Sequence, residues 1–261
     1  MNAIVDQVSA SFIKPSPKIL LICPEVDQAH LPNEICEGDI ATNALGIQEN
    51  QLQKIHFARG EKVPVNVDEY SGIVIASSIH SVNDDIPWVL GLHRAVESFM
   101  KKEIPMVGIC FGHQLIANVL GGTVRRGDNG YELGITRVLL TDAGKHDRLF
   151  ADVPKEFETP TNHGEVVTKL PDGSFELAYN DCYRNQAFLF MQGNICAYGV
   201  QFHPEKFKDS ISSVVKARAE SLTKNQNVRN RQSLSNWDET IREADLAHAK
   251  RIMHNFIRML S

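Results

Sequence analysis

The chain has 261 residues, 43% hydrophobic and 23% charged, long enough to bury one large core with an appendage. A formal net charge of −5 argues against long-range attraction to nucleic acid. No apolar run approaches the roughly twenty residues that span a bilayer, and residues 1–17 lack the charged-then-apolar order of a signal peptide.

In chain order, Lys18 to Cys23 is short and apolar without alternation, the pattern of a strand covered on both faces. Gly38 to Leu45 is a helix candidate and Leu52 to Ala58 a strand. Ile73 to Ala76 is a further strand, which leaves into the small-residue loop Ser77-Ser78-Ile79-His80-Ser81. Trp88 to Met100 places Val89, Leu92, Val96 and Phe99 at helical spacing. Met106 to Ile109 is a strand that passes through Cys110 into a helix from His113 to Leu120. Strands alternating with helices predict a parallel sheet with helices on both faces. Ligands sit at the carboxyl ends of strands in such sheets, where Ser78, Cys110 and His203 all fall.

From Gly121 the strands are shorter: Gly134 to Leu140, Phe175 to Tyr179 and Ala187 to Met191, joined by turns such as Pro171-Asp172-Gly173. They read as antiparallel additions to the main sheet. Beyond Glu205 the chain is helical and polar, with a linker near Lys224 to Asn230. A last helix is expected from Ser235, with Asp238 completing a capping pattern, burying Ile241, Met253, Phe256, Ile257 and Leu260. The division that follows is an N-terminal extension at 1–17, a catalytic domain at 18–210, and a helical extension at 211–261 that packs on the domain or docks a partner.

Two segments carry chemistry. Pro105 to Gln114 is an apolar strand ending in Cys110 between Gly108 and Gly112. A cysteine closing an apolar strand is ordinarily core. Glycines two before and two after it, however, are what a tight strand-to-helix turn requires. The sulfur then sits at a helix N-terminus, which favours negative charge. Far downstream, Gly199 to Glu205 is a second apolar segment, ending in His203 with a carboxylate two residues on. A base to take the proton from sulfur and an acid to orient that base complete a nucleophilic triad.

Gly-Ile-Cys-Phe-Gly-His-Gln at 108–114, together with Gly-Val-Gln-Phe-His-Pro-Glu at 199–205, resembles the class I (triad-type) glutamine amidotransferases, and within them the stand-alone domains similar to the glutaminase part of GMP synthetase. The resemblance covers roughly residues 18 to 207. It implies a three-layer α/β/α, flavodoxin-like fold with a mostly parallel central sheet. It also implies hydrolysis of the glutamine γ-amide, or a related γ-glutamyl bond, through a γ-glutamyl thioester. Cys110 would be the nucleophile, His203 the general base and acid, and Glu205 the residue that orients His203. Backbone N–H groups of Phe111 and Ser78 would hold the oxyanion, although Ser77 and Ser78 stand where the family commonly carries glycine. Gln114 would bind the amino-acid end of the substrate, and His163 and Gly164 would line the pocket. Glu132, in a segment similar to Gly-Trp-Glu-Ile-Gly, would offer a carboxylate to the substrate ammonium.

No cofactor is expected. Cys110 and His113 have a C-x-x-H spacing, but a second ligand pair for a metal is missing. With no phosphate-cradling G-x-x-x-x-G-K-[ST] motif, ATP chemistry would fall to a separate synthetase or acceptor protein. The alternatives are a γ-glutamyl peptidase acting on glutathione-like conjugates, and a non-catalytic regulatory or binding protein on the same fold. Five cysteines (Cys23, Cys36, Cys110, Cys182 and Cys196), an odd number without a C-x-x-C pair, suit a reducing, cytoplasmic setting rather than a disulfide framework.

Overall fold

The computed structural model describes residues 16–24, 42, 44–64, 66–225 and 236–261. Cys36, most of the 38–45 helix candidate, the centre of the linker and Ser235 lie outside the described residues. A nine-stranded sheet forms the middle of the molecule. Its parallel part comprises β1 (Ile19–Cys23), β2 (Leu52–His56), β3 (Gly72–Ile75), β4 (Met106–Ile109) and β11 (Ile195–Val200), in the order β2-β1-β3-β4-β11. β6 (Glu132–Leu140), β7 (Glu156–His163), β9 (Ser174–Tyr179) and β10 (Ala187–Gln192) continue it antiparallel, in the order β10-β9-β6-β7. β5 (Thr123–Arg126) and β8 (Glu165–Lys169) pair separately as an antiparallel ribbon.

Strand composition follows from burial on both faces. In β1, Ile19, Leu21 and Cys23 join one hydrophobic cluster and Leu20 and Ile22 the other, so the period-2 alternation selects a face and not between core and solvent. Helix α1 (Pro87–Lys101) covers one face with Val89, Leu92, Val96 and Phe99, entering through Pro87 at its first turn. α2 (Phe111–Val119) follows β4 directly. A short α3 (Asp142–His146) is capped by the Thr141 hydroxyl, which accepts from Gly144 N at 3.0 Å.

α4 (Lys208–Asn225) runs across the boundary expected at 210, so the C-terminal extension begins inside an element. The single last helix expected from the sequence is two helices, α5 (Trp237–Glu243) and α6 (Ala247–Met259). Asp245 accounts for the break: its carboxylate accepts from Ala247 N at 3.0 Å and its own N–H donates to Glu158 at 3.1 Å, which starts a new helix. α6 places Ile252, Met253, Phe256 and Ile257 in the main core. α4 and α5 build a satellite cluster, with Ile211, Val214, Val215 and Ile241 packed on Leu133 and Ile135 of β6.

The turn from β4 to α2 leaves no room for side chains at its glycines. A Cβ at Gly112 would collide with the Ile75 carbonyl, and one at Gly108 with the Gly112 backbone. Both obstacles are main chain and cannot rotate away. Gly112→Ala is therefore expected to cost about 1–3 kcal/mol or more, read as a lower midpoint in thermal denaturation.

Candidate active site

Register brings three loops together. Ile75 of β3 lies opposite Gly108 of β4, and Val200 of β11 opposite Ile109, so the segments that leave β3, β4 and β11 emerge side by side at their carboxyl ends. Cys110 is fixed there by its N–H, which donates to Val200 O at 2.8 Å. Its backbone is strained, with φ +52° and ψ −98° at the N-cap of α2, in a region that non-glycine residues seldom occupy. The carbonyl of Cys110 accepts the first helical bond, from Gln114 N at 3.1 Å. Phe111, next in line, is the first residue of the helix, where an N–H has no intrahelical acceptor.

His203 follows β11, its N–H donating to Pro160 O at 2.8 Å. The ring is fully buried, and Nδ1 lies 2.6 Å from Glu205 Oε1. Burial alone would push the imidazole down. The charge of Glu205, to which the interaction with Cys110 adds, overcomes that and holds His203 up at about 10. The other ring nitrogen, Nε2, makes no hydrogen bond of ordinary geometry. The three groups read from the sequence as a triad thus share one electrostatic neighbourhood.

Around Cys110 is a cavity of about 270 Å³, lined among others by Ser77, Ser78, Gln114, Tyr131, His163 and Gly164. Ser78 is in the wall. Neither it nor Ser77 has a positive φ, so the loop runs without the conformation for which glycine would be needed. Ser78 Oγ accepts from His80 N at 3.1 Å, which ties the loop to itself. Gln114 donates through its amide nitrogen to Glu165 O at 2.8 Å and to Gln201 Oε1 at 3.1 Å. Its carbonyl oxygen is what remains for a ligand. Gly164 packs so closely on the Tyr131 ring that a side chain there would meet it.

Glu132 departs from the expected role. It is fully buried and outside the cavity lining. Its carboxylate accepts from Asn180 Nδ2 at 2.8 Å and Gln186 Nε2 at 3.0 Å, and lies 3.1 Å from His163 Nε2. Burial raises this carboxyl, but His163 first, then Asn180 and Gln186, outweigh it and hold Glu132 below the usual carboxylate range. Its contacts place it to position His163. Its neighbour Tyr131 lines the cavity instead, as strand alternation dictates for adjacent residues. His113 is fully buried, its ring 5.1 Å from that of Phe188, and burial pushes it down to about 3.

The cavity also has residues that the sequence reading missed. Asn162 and Glu165 flank His163 and Gly164, and Arg126 and Arg218 add two guanidiniums. Asn162 and Glu165 were within reach, because they adjoin His163 and Gly164 in the sequence. Arg218 was not, since α4 carries it back from beyond the second motif.

The family model described as "Glutamine amidotransferase class-I" matches residues 43–242. Among curated proteins, the chain is 31% identical over 159 residues to Gamma-glutamyl peptidase 5 of Arabidopsis thaliana, covering 58% of this chain and 59% of that one. It is 28% identical over 180 residues to Gamma-glutamyl peptidase 4 of the same plant, covering 68% and 70%. It is 38% identical over 112 residues to a subunit of the glutamine-hydrolyzing GMP synthase of Methanocaldococcus jannaschii, covering 43% and 56%. The chain thus spans less than two thirds of the first and third of these relatives. Among solved structures, a glutamine amidotransferase from Thermotoga maritima superposes with a TM-score of 0.73 at 24% identity, over 94% of this chain and 98% of that one. The likeness in fold is that of the three-layer, mostly parallel arrangement expected.

Proposed function

The chain belongs to the class I glutamine amidotransferase family, and on that premise we propose that it hydrolyses the γ-amide of glutamine through a thioester on Cys110. The observation that carries this reading is a cysteine in strained backbone at a helix N-terminus, electrostatically coupled to a buried histidine that a carboxylate holds at 2.6 Å. His203 takes the thiol proton, and the Cys110 sulfur attacks the γ-carbonyl carbon. Backbone N–H groups of Phe111 and of the Ser78 loop face the developing oxyanion. The carbon–nitrogen bond breaks as His203 returns its proton to the departing ammonia, and water then hydrolyses the thioester to glutamate. Gln114, His163 and Gly164 hold the amino-acid end. In this reading the ammonia passes to a separate synthetase or acceptor, as the name of the M. jannaschii relative suggests. None of the four described cysteines is in a disulfide, which suits action in a reducing, cytoplasmic setting.

A second reading keeps every step and changes the leaving group. Relatives named γ-glutamyl peptidases, and a cavity whose lining includes two arginines, favour γ-glutamyl conjugates whose amine departs in place of ammonia. Glutamate release from glutamine and from γ-glutamyl peptides by the purified protein tests both. A glutamine-mimicking diazoketone is expected to label Cys110. Labelling by ordinary alkylators but not by the diazoketone would show a site unsuited to either reaction.

A further inference from the structure

Beside the nucleophile lies a run of contacts that the hydrolytic steps do not use. Arg218 Nη1 donates to Tyr131 Oη at 3.2 Å, and Tyr131 Oη donates to Asn162 Oδ1 at 2.9 Å. The Asn162 carbonyl lies 3.9 Å from Cys110 Sγ. Both Arg218 and Arg126 are close enough to act on the buried Tyr131 phenol, and so is Cys110. Arg218 makes no ion pair among the described residues. Glu165 is the carboxylate in the cavity lining, and it is held by the Ser81 hydroxyl at 2.9 Å. Among the described residues, the guanidinium of Arg218 thus lines the reaction chamber with a phenol as its hydrogen-bond partner and no carboxylate.

Free glutamine brings one carboxylate and one ammonium, and its leaving group is neutral ammonia. In the reading above, its zwitterionic end is held by Gln114, His163 and Gly164. The Arg218 guanidinium is in excess of that need and matches a further carboxylate, with planar donors suited to bidentate contact. We propose that Arg218, hydrogen-bonded to Tyr131, receives a carboxylate on the departing amine, so that the site favours γ-glutamyl amino acids and peptides over glutamine. This rests on the Cys110 hydrolase reading above. The balance is unchanged: the γ-glutamyl carbon–nitrogen bond breaks, the thioester forms, His203 protonates the leaving amine, and one water releases glutamate. The C-terminal extension is then part of the specificity machinery, since α4 supplies Arg218.

Two dipeptides that differ in one group test this: γ-glutamylglycine and γ-glutamylglycinamide, with glutamine as a third substrate. The carboxylate form is expected to have the higher kcat/KM by about tenfold or more, the scale of a charge-assisted hydrogen bond. Arg218→Gln should collapse that ratio, while Arg218→Lys should retain part of it. Misfolding lowers both rates and leaves the ratio, so the ratio is its own control. Protection of Cys110 from the diazoketone by each dipeptide gives the same comparison without turnover. Equal rates and equal protection in the unaltered protein would overturn the assignment. So would an Arg218→Gln variant that slows glutamine and γ-glutamylglycine alike, because the arginine would then be holding the glutamyl carboxylate. Diazoketone labelling with no preference between dipeptides removes this assignment alone; absence of both labelling and turnover removes the hydrolase reading with it.

Discussion

Cys110→Ala is expected to lower glutamate release by about 10⁴-fold or more, the scale seen when a nucleophile is removed from a concerted triad. The loss should fall on kcat, because the side chains that line the cavity remain. Stability gives a second, independent readout of the same geometry. The φ of +52° at position 110 is a strain that alanine shares with cysteine and glycine does not. Cys110→Gly should therefore be equally inactive yet more stable than wild type, by about 1–3 kcal/mol, a rise of a few degrees in thermal midpoint. The alanine variant should melt near wild type. A glycine variant that melts below wild type would mean that the turn is not strained.

The sheet and the triad candidates were legible because each rests on a local signal. Strands covered on both faces must be apolar throughout, so Ile19–Cys23 and Met106–Ile109 stand out of the sequence without help from the fold. Gly108 and Gly112 announce the turn at Cys110 because only glycine avoids the collisions there. Three antiparallel strands, β6, β9 and β10, were found from local patterning too, with ends that moved by one or two residues, while β5, β7 and β8 were not. Elsewhere the decisive information is non-local. Glu132 reads as a free carboxylate until the fold brings Asn180 and Gln186 to its oxygens. Arg218 has no mark of function in its own segment, and enters the cavity because α4 packs Ile211, Val214 and Val215 against β6. Asp245, inside an otherwise continuous helical pattern, divides the last helix once Glu158 is there to accept its N–H.

Glu205→Gln isolates what the carboxylate does for His203. In wild type, burial disfavours the imidazolium, and the charge of Glu205 leads the interactions that restore it, with Cys110 adding to the effect. The amide keeps shape and loses charge, so burial should win and the imidazolium be lost at lower pH. The basic limb of kcat/KM, expected near pH 10 in wild type, should move down by about 1–3 units, the usual scale for removing one close opposite charge. The rate should fall by about 10²- to 10⁴-fold, as a misoriented base dictates. Stability follows the same linkage with a definite sign. A folded-state His203 that titrates above its unfolded value contributes fully below about pH 6.5, and that contribution is lost as pH rises toward 10. Denaturant midpoints measured from pH 6 to 10 should decline in wild type and decline less in Glu205→Gln, since the variant has little of this contribution to lose. An unchanged basic limb together with parallel stability curves would show that Glu205 does not govern the charge on His203, and the acid–base role assigned to the pair would fall with it.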